Sequence, residues 1–184
     1  MKLYFAYGAN LNIDNMVYRC PDAVEVQPFY LKGWTLAFSG VATIVPDPNG
    51  SVAGALWAIS DEDEQSLDVF EGWPTLYRKE TIQADDLEFM VYVMNSDQPW
   101  EPSSGYLETI AQGYQDWNLD LGHLFRAVRQ TKEKLNDLYR SPISDTWHDP
   151  LYGLVEDDVY LESSNDVRWL RDVWYTDRST STAE

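Results

Sequence analysis

The segment KLYFAYGANL, Lys2 to Leu11, decides the fold. Leu3 to Tyr7 is an uncharged apolar and aromatic run and reads as a buried strand. It passes straight into Gly8-Ala9-Asn10 with neither a helix start nor a hairpin partner after it. Gly8 lets the chain turn and lie close to a bound group, and successive backbone N–H groups in such a concavity suit a carboxylate or phosphate. An ordinary strand followed by an ordinary turn is the other reading of this segment.

Outward from that strand, residues 23–32, 35–39, 42–45 and 52–59 also read as strands from their Val, Ile and aromatic content. Pro46-Asp47-Pro48-Asn49-Gly50 reads as a turn joining two adjacent antiparallel strands. Ser60 is placed to cap a helix through Phe70, with Asp61, Glu62 and Asp63 in the dipole-favoured first turn and Gly72 and Pro74 ending it. Residues 77–83 and 87–94 alternate as strands, and Ser103 or Ser104 starts a helix through about Trp117. A last helix spans about 121–139, with Leu121, Leu124, Phe125, Val128, Leu135 and Leu138 on a core-facing stripe. Many short strands with few helices predict a mixed α/β (α+β) fold: a small mixed-strand β-barrel or strongly curved sheet with helices packed outside.

The chain has 184 residues, 44% hydrophobic and 14% aromatic, which suits one well-filled core and is short for two typical domains. One domain over residues 1–140 is expected, followed by an aromatic, acidic extension over 141–184. In that extension the stretch 147–175, with Trp147, Trp169 and Trp174, is expected to pack on the domain or a partner, and residues from Asp177 onward to be disordered. It is also the surface through which copies of the chain could associate.

The net charge of −18, from 13 basic and 31 acidic residues, argues against nucleic acid and anionic membranes as partners. With no signal-like N-terminus and no apolar run near the roughly 20 residues that span a bilayer, a soluble cytoplasmic protein is expected. The lone Cys20 excludes an internal disulfide and reads as a small buried hydrophobe. His123 and His148 stand apart from any metal-ligand spacing, so neither a metal nor another cofactor is expected.

Three further segments carry a resemblance: SGVATIVPDPNGSVAGALWAIS (39–60), SLDVFEGWPTLYRKETI (66–82) and SGYLETIAQGYQDWNLD (104–120). With YFAYGANL ahead of them, they resemble the gamma-glutamylcyclotransferase-like family. Its pattern is a YGSNL-type loop, a glycine-flanked ATI strand, an LDxxEG segment followed by a tyrosine, and a late tyrosine-bearing helix. The resemblance covers roughly the first two thirds of the chain and implies a mixed-strand barrel surrounded by helices.

Glu71 is the candidate for chemistry. A carboxylate at a helix C-terminus, among Val69, Phe70 and Trp73, meets the negative end of the dipole and apolar neighbours, and both raise its pKa. An exposed helix-end glutamate is the alternative from the residues alone. The resemblance places the family's acid/base glutamate at Glu71; Asp68, in the same LDxxEG pattern, is the competitor, but its position three residues back on the helix reads as that of a structural group.

The resemblance further implies cyclisation of a small γ-glutamyl amine, amino acid or peptide to 5-oxoproline. The loop Tyr7-Gly8-Ala9-Asn10-Leu11 would hold a substrate oxygen through its N–H groups, and Tyr4, Tyr77 and Tyr106 would contact substrate. Tyr4 and Tyr77 read equally as packing residues. Ala9 departs from the usual loop serine and bears on substrate preference. Two other functions stay open: a non-catalytic module binding a small acidic or glutamyl ligand, and an acidic protein-interaction module working through its C-terminal segment.

Overall fold

Tyr4, Phe5 and Ala6 are all buried, and a strand with no polar face belongs in the middle of a sheet. The computed structural model describes residues 1–139 and places this strand, β1 (Lys2–Ala6), there. The other strands are β2 (Val24–Phe38), β3 (Ala42–Ile59), β4 (Tyr77–Ala84) and β5 (Leu87–Met94). Their order in the sheet is β2-β3-β1-β5-β4. β1 runs antiparallel to β3, from Lys2 opposite Ile59 to Ala6 opposite Ala55, and parallel to β5, with Tyr4 opposite Met90. The sheet is therefore mixed. Among the described residues it does not close, and β2 and β4 are its edges. Of the closed and open forms the strand pattern allows, this is the open one. Phe5, Phe29 and Phe89 from three strands meet with ring centroids 5.3–5.9 Å apart, two of the three pairs edge to face.

Residues 46–50 do not join two neighbouring strands, contrary to expectation. Trp34 lies opposite Pro46 and Lys32 opposite Ser51, so both flanks of the segment pair with β2 in one continuing ladder. The turn chemistry is real but local: Asn49 N–H donates to Asp47 Oδ1 at 3.0 Å, making a bulge inside one long strand. The reversal between β2 and β3 falls at residues 39–41.

A helix missing from the sequence reading follows β1. After a 3₁₀ turn at Ala9–Leu11, Asn12 accepts from Asn15 N–H at 2.9 Å and caps α1 (Ile13–Arg19). Met16 anchors this short helix in the core.

α2 (Asp61–Glu71) begins on a capping box in which Ser60 and Asp63 each accept the other's backbone N–H at 3.0 Å. It ends because Gly72, at φ 62°, takes the left-handed conformation that a side chain disfavours. Glu71 is thus the last residue of the helix. α3 (Ser104–Asp116) is capped by Ser103 and α4 (Gly122–Tyr139) packs on β2. The buried stripe of α4 is narrower than expected: Leu124, Ala127 and Thr131 are buried, whereas Leu138 is exposed.

Among the described residues no helix is long and apolar enough to cross a membrane, and no cluster of side chains could hold a metal ion. Cys20 is buried and unpaired. The expectations for 141–184 lie outside the described residues.

Candidate active site

At the C-terminal end of β1, side chains from six elements line one cavity of about 110 Å³. β1 and the residues after it bring Tyr4, Tyr7, Gly8, Ala9 and Asn10; α2 brings Phe70 and Glu71. Tyr77 comes from the start of β4, Tyr92 from β5, Tyr106 from the first turn of α3, and Ala42 from the start of β3.

Glu71 Oε1 accepts a hydrogen bond from Asn10 Nδ2 at 2.8 Å. Asn10 is only 3% exposed, and its Nδ2 also donates to Tyr4 Oη at 2.8 Å. Burial pushes the Glu71 carboxyl up to about 7, against the Asn10 hydrogen bond and the Arg19 charge, which both pull it down. Of its sequence neighbours only Phe70 lines the cavity; Val69 is 84% exposed and Trp73 about half exposed, so Phe70 and the tyrosine-lined wall together desolvate the carboxyl.

The phenols are tied to backbone. Tyr7 Oη donates to the Tyr92 carbonyl and Tyr77 Oη to the Ala42 carbonyl, each at 2.6 Å. Tyr106 Oη accepts from Ala42 N–H at 3.1 Å. Burial raises the pKa of all three, that of Tyr106 to about 12, so they stay neutral at physiological pH. Gly8 permits this closeness: a Cβ there would lie 3.1 Å from Ala42 Cβ and 3.3 Å from Tyr106 Oη. Among the described residues, no hydrogen-bond partner within the protein is seen for the Gly8 and Asn10 N–H groups.

Of the eight residues expected beside Glu71, seven line the cavity with it. Leu11 does not. It is fully buried behind the loop, and its carbonyl accepts from Trp117 Nε1 at 2.9 Å. Asp68 faces a different set of groups, accepting from Tyr92 Oη at 2.6 Å and pairing with Lys79 Nζ at 2.7 Å. Cys20 lies outside the cavity, and burial pushes its thiol up to about 12, far from a reactive thiolate.

Two polar residues of the site, Tyr92 and Arg19, were not expected from the sequence. Tyr92 sits in an alternating strand where nothing separates a wall residue from a core residue. Arg19 closes a helix that was not expected; the Asn12 cap followed by Met16 was the available signal. Its guanidinium donates to Asn10 Oδ1 and lies over the Phe70 ring, 3.4 Å from the centroid.

This arrangement suits proton transfer. A carboxyl that titrates near neutrality sits among neutral phenols, close to backbone donors and partly out of water. The cavity wall holds neither a thiol nor a histidine.

Comparison with known proteins identifies the family. Residues 4–118 match the family model described as gamma-glutamyl cyclotransferase, AIG2-like. The chain belongs to that family. A gamma-glutamylcyclotransferase from Bos taurus is 27% identical over 169 aligned positions, covering 80% of this chain and 86% of the relative. The Homo sapiens gamma-glutamylcyclotransferase is 28% identical over 137 positions, covering 65% of this chain and 73% of the relative. A solved structure of a gamma-glutamyl cyclotransferase shares the fold with a TM-score of 0.59 at 24% identity, over 71% of this chain and 86% of that one.

Proposed function

We propose that this protein is a gamma-glutamyl cyclotransferase that converts a small γ-glutamyl amine, amino acid or peptide to 5-oxoproline, with Glu71 as the general acid/base. The observation that carries the reading is the Glu71 carboxyl, which titrates near 7 against Asn10 in a cavity with no other acid. Membership of the family and the names of the relatives support the same reaction class.

In this reaction the substrate's α-nitrogen attacks its own γ-carbonyl carbon, and the bond to the leaving nitrogen breaks. The α-ammonium starts with three protons and the lactam nitrogen keeps one, so two pass to the leaving nitrogen, which departs as an ammonium. Glu71 carries those protons and ends as it began. Because the attack is intramolecular, the cavity's main task is to hold the glutamyl chain folded; orientation of this kind is worth up to roughly 7–11 kcal/mol in favourable systems. Proton transfer adds about 10²- to 10⁴-fold. The Gly8 and Asn10 N–H groups are the donors for a substrate oxygen. Ala9 offers a methyl group to the cavity where a hydroxyl would add a further polar contact.

The test is a panel of γ-glutamyl amines, amino acids and dipeptides assayed for 5-oxoproline release, with chelator present and absent. Release from at least one member, unaffected by chelator, is expected. Glu71→Gln keeps the shape of the side chain and removes the proton acceptor, and should lower turnover by about 10²-fold or more with the melting curve intact. Asp68→Asn should change turnover much less. Near-wild-type turnover in a folded Glu71→Gln protein would end the acid/base assignment. No release from any panel member would favour a module that binds a glutamyl ligand without turning it over.

A further inference from the structure

An amide side chain between a carboxylate and a guanidinium has its orientation decided by what each neighbour can offer. Arg19 has only donors, so the Asn10 atom facing it is the oxygen. Glu71 as a carboxylate has only acceptors, so the atom facing it is Nδ2. The second Nδ2 proton goes to Tyr4 Oη, which leaves the buried amide nitrogen fully used. Remove Arg19 and a second state opens. The Asn10 amide can rotate, placing Oδ1 against Glu71, and that arrangement is satisfied only when Glu71 is protonated and donates.

Arg19 is itself held. It is the last residue of α1, its guanidinium rests over Phe70, and Phe70 is the residue before Glu71 on α2. Two helices thus meet through this stack.

We propose that Arg19 is a positioning residue for Glu71: stacked on Phe70 and donating to Asn10 Oδ1, it locks the Asn10 amide in the orientation that presents Nδ2 to the Glu71 carboxylate. This rests on the reading of Glu71 as the acid/base group. Arg19 is not among the residues of the cavity wall; it acts through Asn10.

The groups facing Glu71 from the surrounding elements are Tyr4 on β1, Tyr7 beyond it, Tyr77 on β4, Tyr92 on β5 and Tyr106 on α3. Burial raises the pKa of each, so each is neutral at physiological pH. Among the described residues, Arg19 is therefore the charged group acting on Glu71, and its charge pulls that carboxyl down. Losing it favours the protonated acid twice over, through the missing charge and through the rotated amide.

Two variants test this with a readout that does not need turnover. Carboxyl-carbon NMR follows the Glu71 titration in wild type, Arg19→Gln and Arg19→Lys, with Glu71→Gln identifying the signal. In Arg19→Gln the midpoint should rise by about one pH unit. The acid limb of kcat should move with it, and kcat at pH 7 should fall about fivefold with KM little changed, as the ionised fraction of Glu71 drops from about one half to about one eleventh. Arg19→Lys keeps the charge and a donor, and should hold the midpoint near wild type; it also serves if the glutamine variant does not fold. A Glu71 midpoint unchanged in folded Arg19→Gln, or raised as far in Arg19→Lys as in a charge-free variant, would overturn the proposal. If wild type releases no 5-oxoproline, the proposed reaction fails, while the NMR titration still decides the role of Arg19.

Discussion

Glu71 shows at the scale of one residue how a site is held at a cost to stability. Its carboxyl has an ordinary value of 4.5 and is raised to about 7 in the folded chain, chiefly by burial. At ~1.4 kcal/mol per pH unit, that gap amounts to roughly 3 kcal/mol. The sign follows from proton uptake. Between 4.5 and about 7 the folded state holds the proton more tightly than the unfolded state, so stability is highest below this window and is lost as pH rises through it. Glu71→Gln carries no charge at any pH and escapes this loss. The variant should therefore gain on wild type in denaturant midpoint as pH goes from 5 to 8, by roughly 3 kcal/mol at most. A constant difference across that range would mean that Glu71 is not desolvated as described.

At the scale of elements, the site depends on where helices stop and start. α2 ends at Glu71 because Gly72 follows it, and α1 ends at Arg19, which reaches Asn10 and Phe70. A capping side chain sets where α1 begins: Asn12 Oδ1 accepts the Asn15 N–H. Asn12→Ala should lower stability by about 1 kcal/mol, the usual value of such a cap. Because α1 carries Arg19, it should also shift the Glu71 titration in the direction of Arg19→Gln, by a smaller amount. Urea melts beside the NMR titration check both. Loss of stability with an unmoved titration would show that α1 can fray without releasing Arg19. Lys79 and Asp68 do different work, tying α2 to β4 and, through Tyr92, to β5 at a separate point.

At the scale of the whole molecule the charge of −18 sets the field that a substrate crosses. A γ-glutamyl amino acid carries one net negative charge and a γ-glutamyl alkylamide none, so the protein repels the first more. Salt shortens the reach of that field to about 10 Å at 0.1 M. Raising salt from low ionic strength to 0.3 M should therefore raise kcat/KM for the amino acid substrate relative to the alkylamide by roughly two- to tenfold. Steady-state kinetics on the pair at several salt concentrations measures this directly. A ratio indifferent to salt would place the charge away from the mouth.

The local signals in this chain were strong where a pattern and its structure share one segment. The buried strand at Lys2–Ala6, the Ser60 cap and the helix end at Gly72 can be read from neighbouring residues alone, because burial on both faces, capping and left-handed glycine are local physics, whereas Tyr4, Tyr77, Tyr106 and the role of Glu71 were legible only through the resemblance to a family. The same local logic misread Pro46–Gly50, where the turn chemistry is present but the partner strand runs past it unbroken. It also ascribed the raised carboxyl of Glu71 to the helix dipole and to Val69, Phe70 and Trp73, of which only Phe70 lines the cavity, while Val69 stands in solvent. Desolvation depends on what arrives from elsewhere in the chain: tyrosines from β1, β4, β5 and α3, set by strand order and pairing. Arg19 and Tyr92 belong to this second kind of information. The Asn12 cap and Met16 mark the helix that ends at Arg19 but not what Arg19 meets, nothing along the sequence marks Tyr92 as a wall residue, and only folding brings one over Phe70 and the other into the cavity wall.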